Sequence, residues 1–233
     1  DFRPAGATEI RRAAAAFLIM QDRIRRQITQ RTEMLAGVSH DLRTPLTRLK
    51  LQLAMLGDAE EVEELKRDVV DMEKMVDGYL AFARGQDSES ATATDLPALL
   101  GEVVANARRQ GGNIVLTVDP DMVVPLRPNA FKRCITNLVD NALRHARHVQ
   151  ITAHHLADAI EITVDDDGPG IPEQRREDMF RPFTRLDEAR NPETGGVGLG
   201  LSIARDVIRG HGGDIILGTA PAGGLRALVR LPV

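Results

Sequence analysis

The chain is poor in aromatic residues and almost without cysteine. Of its 233 residues, Phe accounts for 6, Tyr for 1, Trp for 0 and Cys for 1, which is Cys134. A single thiol excludes an internal disulfide and any zinc site built on several cysteines, and it fits a reducing compartment. Long apolar runs are missing as well. The longest, Ala13 to Met20, falls far short of the roughly 20 residues that a membrane-spanning helix needs. Positive charge is not in excess. Lys and Arg number 30 against 34 Asp and Glu, a net charge of −4, which argues against a general nucleic-acid coat. With 42% hydrophobic and 27% charged residues, the chain is neither disordered nor collagen-like, and its length suits one large domain or two modest ones. It opens on Asp1 rather than Met, so a preceding segment holding any membrane span is expected upstream.

Two halves read differently. From about residue 8 to 86 the pattern is helical, with little Gly and one Pro, Pro45. Ile10, Phe17, Met20, Ile24 and Ile28 form an apolar stripe, which Met34, Leu35, Val38, Leu42, Leu46, Leu49, Leu53 and Leu56 continue in steps of three and four. After a turn at Gly57-Asp58, Val62, Leu65, Val69, Met72, Val76, Tyr79 and Ala83 repeat that spacing. Two long amphipathic helices joined by a short turn form an antiparallel hairpin. A hairpin buries one stripe per helix, so a four-helix bundle made by a homodimer is expected. Gln86 to Thr94 is small and polar and reads as a linker. Beyond it, helices are predicted over 96–109, 128–145 and 199–209, with strands over 114–118, 149–153, 160–164, 215–217 and 225–231. That mixture predicts a two-layer α/β sandwich.

Five places carry candidate chemistry. His40 lies about 200° from both Val38 and Leu42 on a helical projection, and so faces away from the stripe. A lone histidine there is most simply a solvated one. Its neighbours change the weighing: Asp41 is adjacent, Thr44 shares its face, and Pro45 cannot donate to the carbonyl of Asp41. Imidazole titrates near neutrality and can act as a nucleophile. In the second half, Asn137 and Asn141 lie four apart on a predicted helix with Arg144 and His145, and amide oxygens are hard ligands suited to Mg²⁺. An Asn pair is equally compatible with capping or surface decoration. Val164-Asp165-Asp166-Asp167-Gly168-Pro169-Gly170 closes a predicted strand. Its glycines let backbone approach a flat ligand, while three adjacent carboxylates repel one another unless a donor or cation is supplied. Gly195-Gly196-Val197-Gly198-Leu199-Gly200-Leu201 opens a helix, the place for a phosphate cradle. It is neither a P-loop nor a Rossmann fingerprint. Between the glycine segments runs a long aperiodic stretch of the kind that often forms a lid; its Phe180 and Phe183 most simply anchor the loop to the core, and its Arg185 and Arg190 either reach phosphates or are simply solvated.

The order of these features resembles the sensor histidine kinases of bacterial two-component systems. Ala36 to Arg48, with Ser39-His40-Asp41-Leu42-Arg43-Thr44-Pro45 at its centre, is similar to the EnvZ-type osmosensor group. The resemblance covers nearly the whole chain. It implies a relay helix and linker of the HAMP kind over 1–28, a dimerisation and phosphotransfer hairpin over 29–86, and a Bergerat-type ATP-binding sandwich over 95–233. It further implies that His40 accepts the phosphoryl group, Asp41 assists as base, and Thr44 orients water when the partner is dephosphorylated. Asn137 and Asn141 match the N box that holds Mg²⁺ and phosphates, with Arg144 nearby. Asp166 matches the carboxylate that accepts the adenine amino group, with Gly168 and Gly170 completing its box. Phe180 and Phe183 match the F box, Arg185 and Arg190 stand in reach of phosphates, and Gly196, Gly198, Gly200 and Leu201 match the second glycine box. ATP and Mg²⁺ are the implied cofactors. The implied partners are a second copy of the chain and a response-regulator receiver domain, with no direct nucleic acid. The implied location is the cytoplasmic side of a bacterial inner membrane, with a membrane anchor only through a missing upstream segment. Asp165 and Asp167 receive no role. Two rivals stay open from the residues: another ATPase of the same nucleotide fold, and a dimeric scaffold without catalysis.

Overall fold

The computed structural model describes residues 8–56, positions 62, 63, 65, 66, 69, 70, 72 and 73, and then 89–186 and 198–232. The chain divides into two compact units, Asp1–Gly85 and Gln86–Val233.

In the first unit a single helix, α1, runs from Thr8 to Met55 without interruption at Pro45. A proline inside a helix removes one amide donor and crowds the preceding turn, so α1 lacks one bond just after His40. Leu46 and Leu53 of α1 are buried with Val69, and Val62 packs against them. Positions 62, 63, 65, 66, 69, 70, 72 and 73 are helical, in keeping with the predicted second helix. The turn at Gly57-Asp58 lies outside the described residues. Leu42, Leu49, Phe17 and Ile24 remain exposed on this single chain.

The second unit is a mixed sheet covered on one face by three helices. Its elements are β1 (Thr92–Asp95), α2 (Leu96–Arg109), β2 (Ile114–Val118), β3 (Val123–Leu126), α3 (Pro128–His145), β4 (Val149–His155) and β5 (Ala159–Asp166), then α4 (Glu173–Arg176), a 3-10 turn at Asp178–Phe180, α5 (Gly200–Arg209), β6 (Asp214–Thr219) and β7 (Leu225–Pro232). The main sheet has the order β2-β4-β5-β7-β6. Only the β2–β4 pair is parallel. Strand alternation sorts the side chains: Ile151, Ile160, Ile162, Val164, Ala227, Val229 and Ile215 enter the core, while Gln150, Thr163, Arg226 and Ile216 face away. The apolar stripes of α2, α3 and α5 close over the inward row.

The linker reading of 86–94 needs correction at its C-terminal end. Thr92–Asp95 pairs antiparallel with β3 as a two-stranded ribbon. Before it, Glu89 caps α3: its Oε1 accepts from the Asn129 amide at 2.9 Å and its Oε2 from the Ala130 amide at 3.0 Å. Arg127, at the N-cap itself, supplies no side-chain bond to the helix, and the first amides of a helix demand an acceptor. Asp95 in turn caps α2 by accepting from the Ala98 amide at 2.9 Å. Within that polar stretch, Glu89 is therefore a capping residue.

Candidate functional site

Asp166 ends β5, the central strand, and is 5% exposed. Its Oδ1 accepts from the amides of Gly168 at 2.9 Å and Leu225 at 3.0 Å. Those bonds fix the carboxylate plane, and Oδ2 makes no hydrogen bond to a described residue. Close approach explains the surrounding glycines. A Cβ on Gly168 would stand 2.8 Å from the carbonyl oxygen of His145, and Gly170 holds a left-handed φ of +69°. A Cβ on Gly224 would fall on the carbonyl and carboxylate oxygens of Asp166. Gly224 is a part of this wall that sequence reasoning missed, because its partner lies 58 residues away in the chain (224 − 166).

The three aspartates at the end of β5 have separate work. Asp165 pairs with Arg226 across β5 and β7 through two bonds of 2.7 and 2.6 Å. Asp167 Oδ1 accepts from the amides of Arg147 at 2.8 Å and His148 at 2.9 Å, tying the end of α3 to β4. The His148 amide foremost holds the Asp167 carboxyl below the ordinary carboxylate range. The repulsion expected from the sequence is thus relieved by one cation and two pairs of amides, and of the two carboxylates held through one oxygen only, Asp166 is the buried one and Asp167 the exposed one.

Alongside Asp166 lies the polar edge of α3. Asn137 and Asn141 are half-buried and His145 is partly exposed. Partial burial foremost, then the charges of Arg144 and Arg185, lowers the pKa of His145, and the negative charge of Asp166 opposes them. The structure therefore brings Arg144, His145, Asp166 and Arg185 into one electrostatic neighbourhood. Among the described residues, Asn137 Nδ2 is buried without a hydrogen-bond partner, and so is Nε of Arg133 one turn earlier. Buried polar groups are normally satisfied, so this edge of α3 has donor capacity that no described residue takes up. Gly200, the first residue of α5, stands 3.9 Å from the Asn137 Cβ by its Cβ position. Leu199, the N-cap of α5, makes no side-chain capping bond, so the start of a helix, which favours anions, lies close to Asn137. The donor set also suits a hard cation: two neutral amide groups on one helix edge fit Mg²⁺, which prefers oxygen ligands and keeps waters and phosphate oxygens.

The aperiodic stretch contains α4 and the 3-10 turn that periodicity did not reveal. Phe180 packs against the core, with the Arg205 guanidinium 4.1 Å above its ring. Phe183 is 57% exposed and holds φ +65°. Its amide donates to the carbonyl of Gly198 at 3.0 Å. The two aromatics thus divide: one anchors, the other stands out. Leu201 is packed in the core rather than presented to the site. Arg190 and Gly196 lie outside the described residues. His40 is on α1, its side chain and that of Asp41 being outside the described residues, while Thr44 is exposed one turn on.

Residues 126–233 match the family described as histidine kinase-, DNA gyrase B-, and HSP90-like ATPase, and residues 30–88 match the His kinase A (phospho-acceptor) domain. The chain is 39% identical over 228 residues to the sensor histidine kinase GtrS of Pseudomonas aeruginosa, covering 97% of this chain and 47% of that protein. It is 34% identical to the histidine kinase domain of the E. coli osmosensor EnvZ, over 64% of this chain and 92% of that structure, with a TM-score of 0.50. It is 25% identical to full-length ShkA in complex with AMPPNP, covering 86% of this chain and 45% of that one, with a TM-score of 0.69. The chain spans about half the length of the curated relatives it matches.

Proposed function

The chain belongs to the sensor histidine kinases of two-component systems, and from that premise we propose that it phosphorylates its own His40 from ATP. One observation supports the nucleotide half above all. Among the described residues, a buried carboxylate with one oxygen committed and one free, on Asp166, shares a wall with glycines, while the buried Asn137 amide is unpaired close to the N-terminus of α5.

In this reading the free oxygen of Asp166 accepts from the exocyclic amino group of adenine, and Gly168, Gly170 and Gly224 leave room for the ring. The phosphates run back along α3 past Asn141 and Asn137, towards the first amides of α5. Arg144, Arg185 and Arg190 offset their charge, and Phe180, Phe183, Gly196, Gly198 and Gly200 shape that end. Asn137 and Asn141 would hold Mg²⁺ through their amide oxygens. The ion, when bound, neutralises charge on the phosphates. Nε2 of His40 attacks the γ-phosphorus, the bond to the bridging oxygen breaks, and ADP leaves. Asp41 accepts the proton from Nδ1 and so holds the reactive tautomer. His40 and the nucleotide residues lie in different units, so transfer requires the two to meet.

The phosphoryl group then passes to an aspartate of a response-regulator receiver domain, and Thr44 orients water for the reverse control of that partner. Exposed Phe17, Ile24, Leu42 and Leu49 favour a second copy of the chain as the cover for the stripe. Residues 1–28 act as the relay from an upstream membrane-anchored sensor, with the present chain on the cytoplasmic side. The test is phosphate transfer from γ-labelled Mg-ATP to the wild type and to His40→Ala. Acid-labile, alkali-stable label lost in the variant is expected. Label that persists in His40→Ala sinks the assignment.

A further inference from the structure

Arg205 lies in the second turn of α5 and makes directed contacts to two carboxylates and an aromatic ring. Its Nε donates to Asp214 Oδ1 at 2.8 Å and its Nη2 to Oδ2 at 3.2 Å. Nη1 donates to Glu177 Oε1 at 2.5 Å. The guanidinium plane sits 4.1 Å from the centre of the Phe180 ring. The side chain is 12% exposed, whereas that of Glu177 is 78% exposed.

Burial of the Arg205 charge calls for a counter-ion, which Asp214 supplies, but it does not call for Glu177 or the Phe180 ring as well. Asp214 already has a second guanidinium, Arg209, with bonds of 3.2 Å from both Nε and Nη2. Glu177 is solvated and needs no partner. What the fork of Arg205 adds is direction. Asp214 is a rigid base, since its Oδ1 also accepts from the Ile215 amide at 2.9 Å, and from it the guanidinium fixes the ring of Phe180 and the residue before the 3-10 turn. The chain from Phe180 then reaches Phe183, whose amide is bonded to Gly198, two residues ahead of α5. The contacts close a ring: α5, Arg205, Phe180, Phe183, Gly198 and α5 again.

We propose that Arg205 is a positioning residue for the nucleotide reaction. Acting through Phe180, it sets the span between the aromatic segment and the open first turn of α5, where the phosphates bind. This rests on the ATP reading above. No direct contact with nucleotide is involved.

The test uses the full chain, with ATP affinity by titration calorimetry, steady-state labelling of His40, and the thermal midpoint. Arg205→Ala is expected to weaken ATP binding about tenfold. Arg205→Lys is expected to lose nearly as much, because an ammonium cannot fork between Asp214 and Glu177 while covering a ring. Arg209→Ala removes the other guanidinium from Asp214 and leaves Phe180 stacked; its ATP affinity is expected to stay within about twofold of wild type. Combining Arg205→Ala with Phe180→Leu is expected to weaken binding no further than the worse single change. Equal losses in Arg205→Ala and Arg209→Ala, or additive losses in the double variant, mean that Arg205 serves stability alone and overturn the proposal. Should Arg205→Ala not fold, Glu177→Gln and Phe180→Leu carry the test, and unchanged ATP affinity in both overturns it. A wild type that binds no ATP defeats the function reading instead.

Discussion

Phe183 and Gly198 meet backbone to backbone, the Phe183 amide donating to the Gly198 carbonyl at 3.0 Å, and both residues are left-handed, at φ +65° and +72°. A Cβ on Gly198 would lie 2.9 Å from the Phe183 carbonyl carbon. Gly198→Ala therefore combines a left-handed penalty of about 1–2 kcal/mol with a backbone clash. ATP affinity is expected to fall, and titration against wild type checks it. Unchanged affinity would show that the joint does not bear on nucleotide binding.

Asp166 separates two kinds of damage. Asp166→Asn keeps one oxygen for the Gly168 and Leu225 amides but puts a donor where the proposed adenine amino group would need an acceptor, so ATP binding is expected to be lost with the fold intact. Asp166→Ala strands two amides at a buried strand end, at a cost of about 1–3 kcal/mol each. Denaturant melts beside binding isotherms distinguish the two, and equal stability of both variants would contradict the assignment of Oδ1.

His145 gives a pH signature. Partial burial first, then Arg144 and Arg185, pull its pKa below the ordinary histidine value, which is about 6.5. Between the lowered value and about 6.5 the unfolded chain binds more protons, so stability rises with pH across that window and is lost as pH falls through it. Asp166 opposes the shift, so Asp166→Asn is expected to lower the His145 pKa further. Imidazole NMR titration of both proteins reads it directly; movement upward would mean that Asp166 is not its neighbour.

The Asp165–Arg226 pair joins β5 to β7 on the face away from the helices. Arg226→Ala leaves a carboxylate that is only 11% exposed without its cation, and about 2 kcal/mol of stability should go with it. Asp165→Asn combined with Arg226→Leu is expected to recover most of that loss. A double variant less stable than Arg226→Ala would mean that the pair is not coupled.

Regular periodicity made the larger elements readable. The helices at 96–109 and 128–145 and the strand at 114–118 fall where their apolar spacing puts them. β1 was hidden because Thr-Ala-Thr-Asp has no apolar alternation, and β3 because it contains Pro125, which a two-stranded ribbon tolerates. At the site, the Asp-x-Gly-x-Gly segment announced a carboxylate at a strand end. The resemblance singled out Asp166, but what occupies Asp165 and Asp167 was not legible, because that depends on Arg226 and on the amides of Arg147 and His148, distant in sequence or contributed by backbone. Gly224 and Arg205 were invisible for the same reason: their importance lies in what stands opposite them.

The cap that Glu89 places on α3 changes how the connection between the two units should be measured. Counted to the start of the sandwich at 95 the tether would have six more residues than it has when counted to Glu89, or about 20 Å of extended chain. That shorter reach ends on the amides of Asn129 and Ala130, which stand about 10 Å along the helix from Asn137. Residue 89 is therefore fastened to the N-terminus of the very helix that carries Asn137 and Asn141, so the free length of the connection ends at Glu89 and not at the first strand.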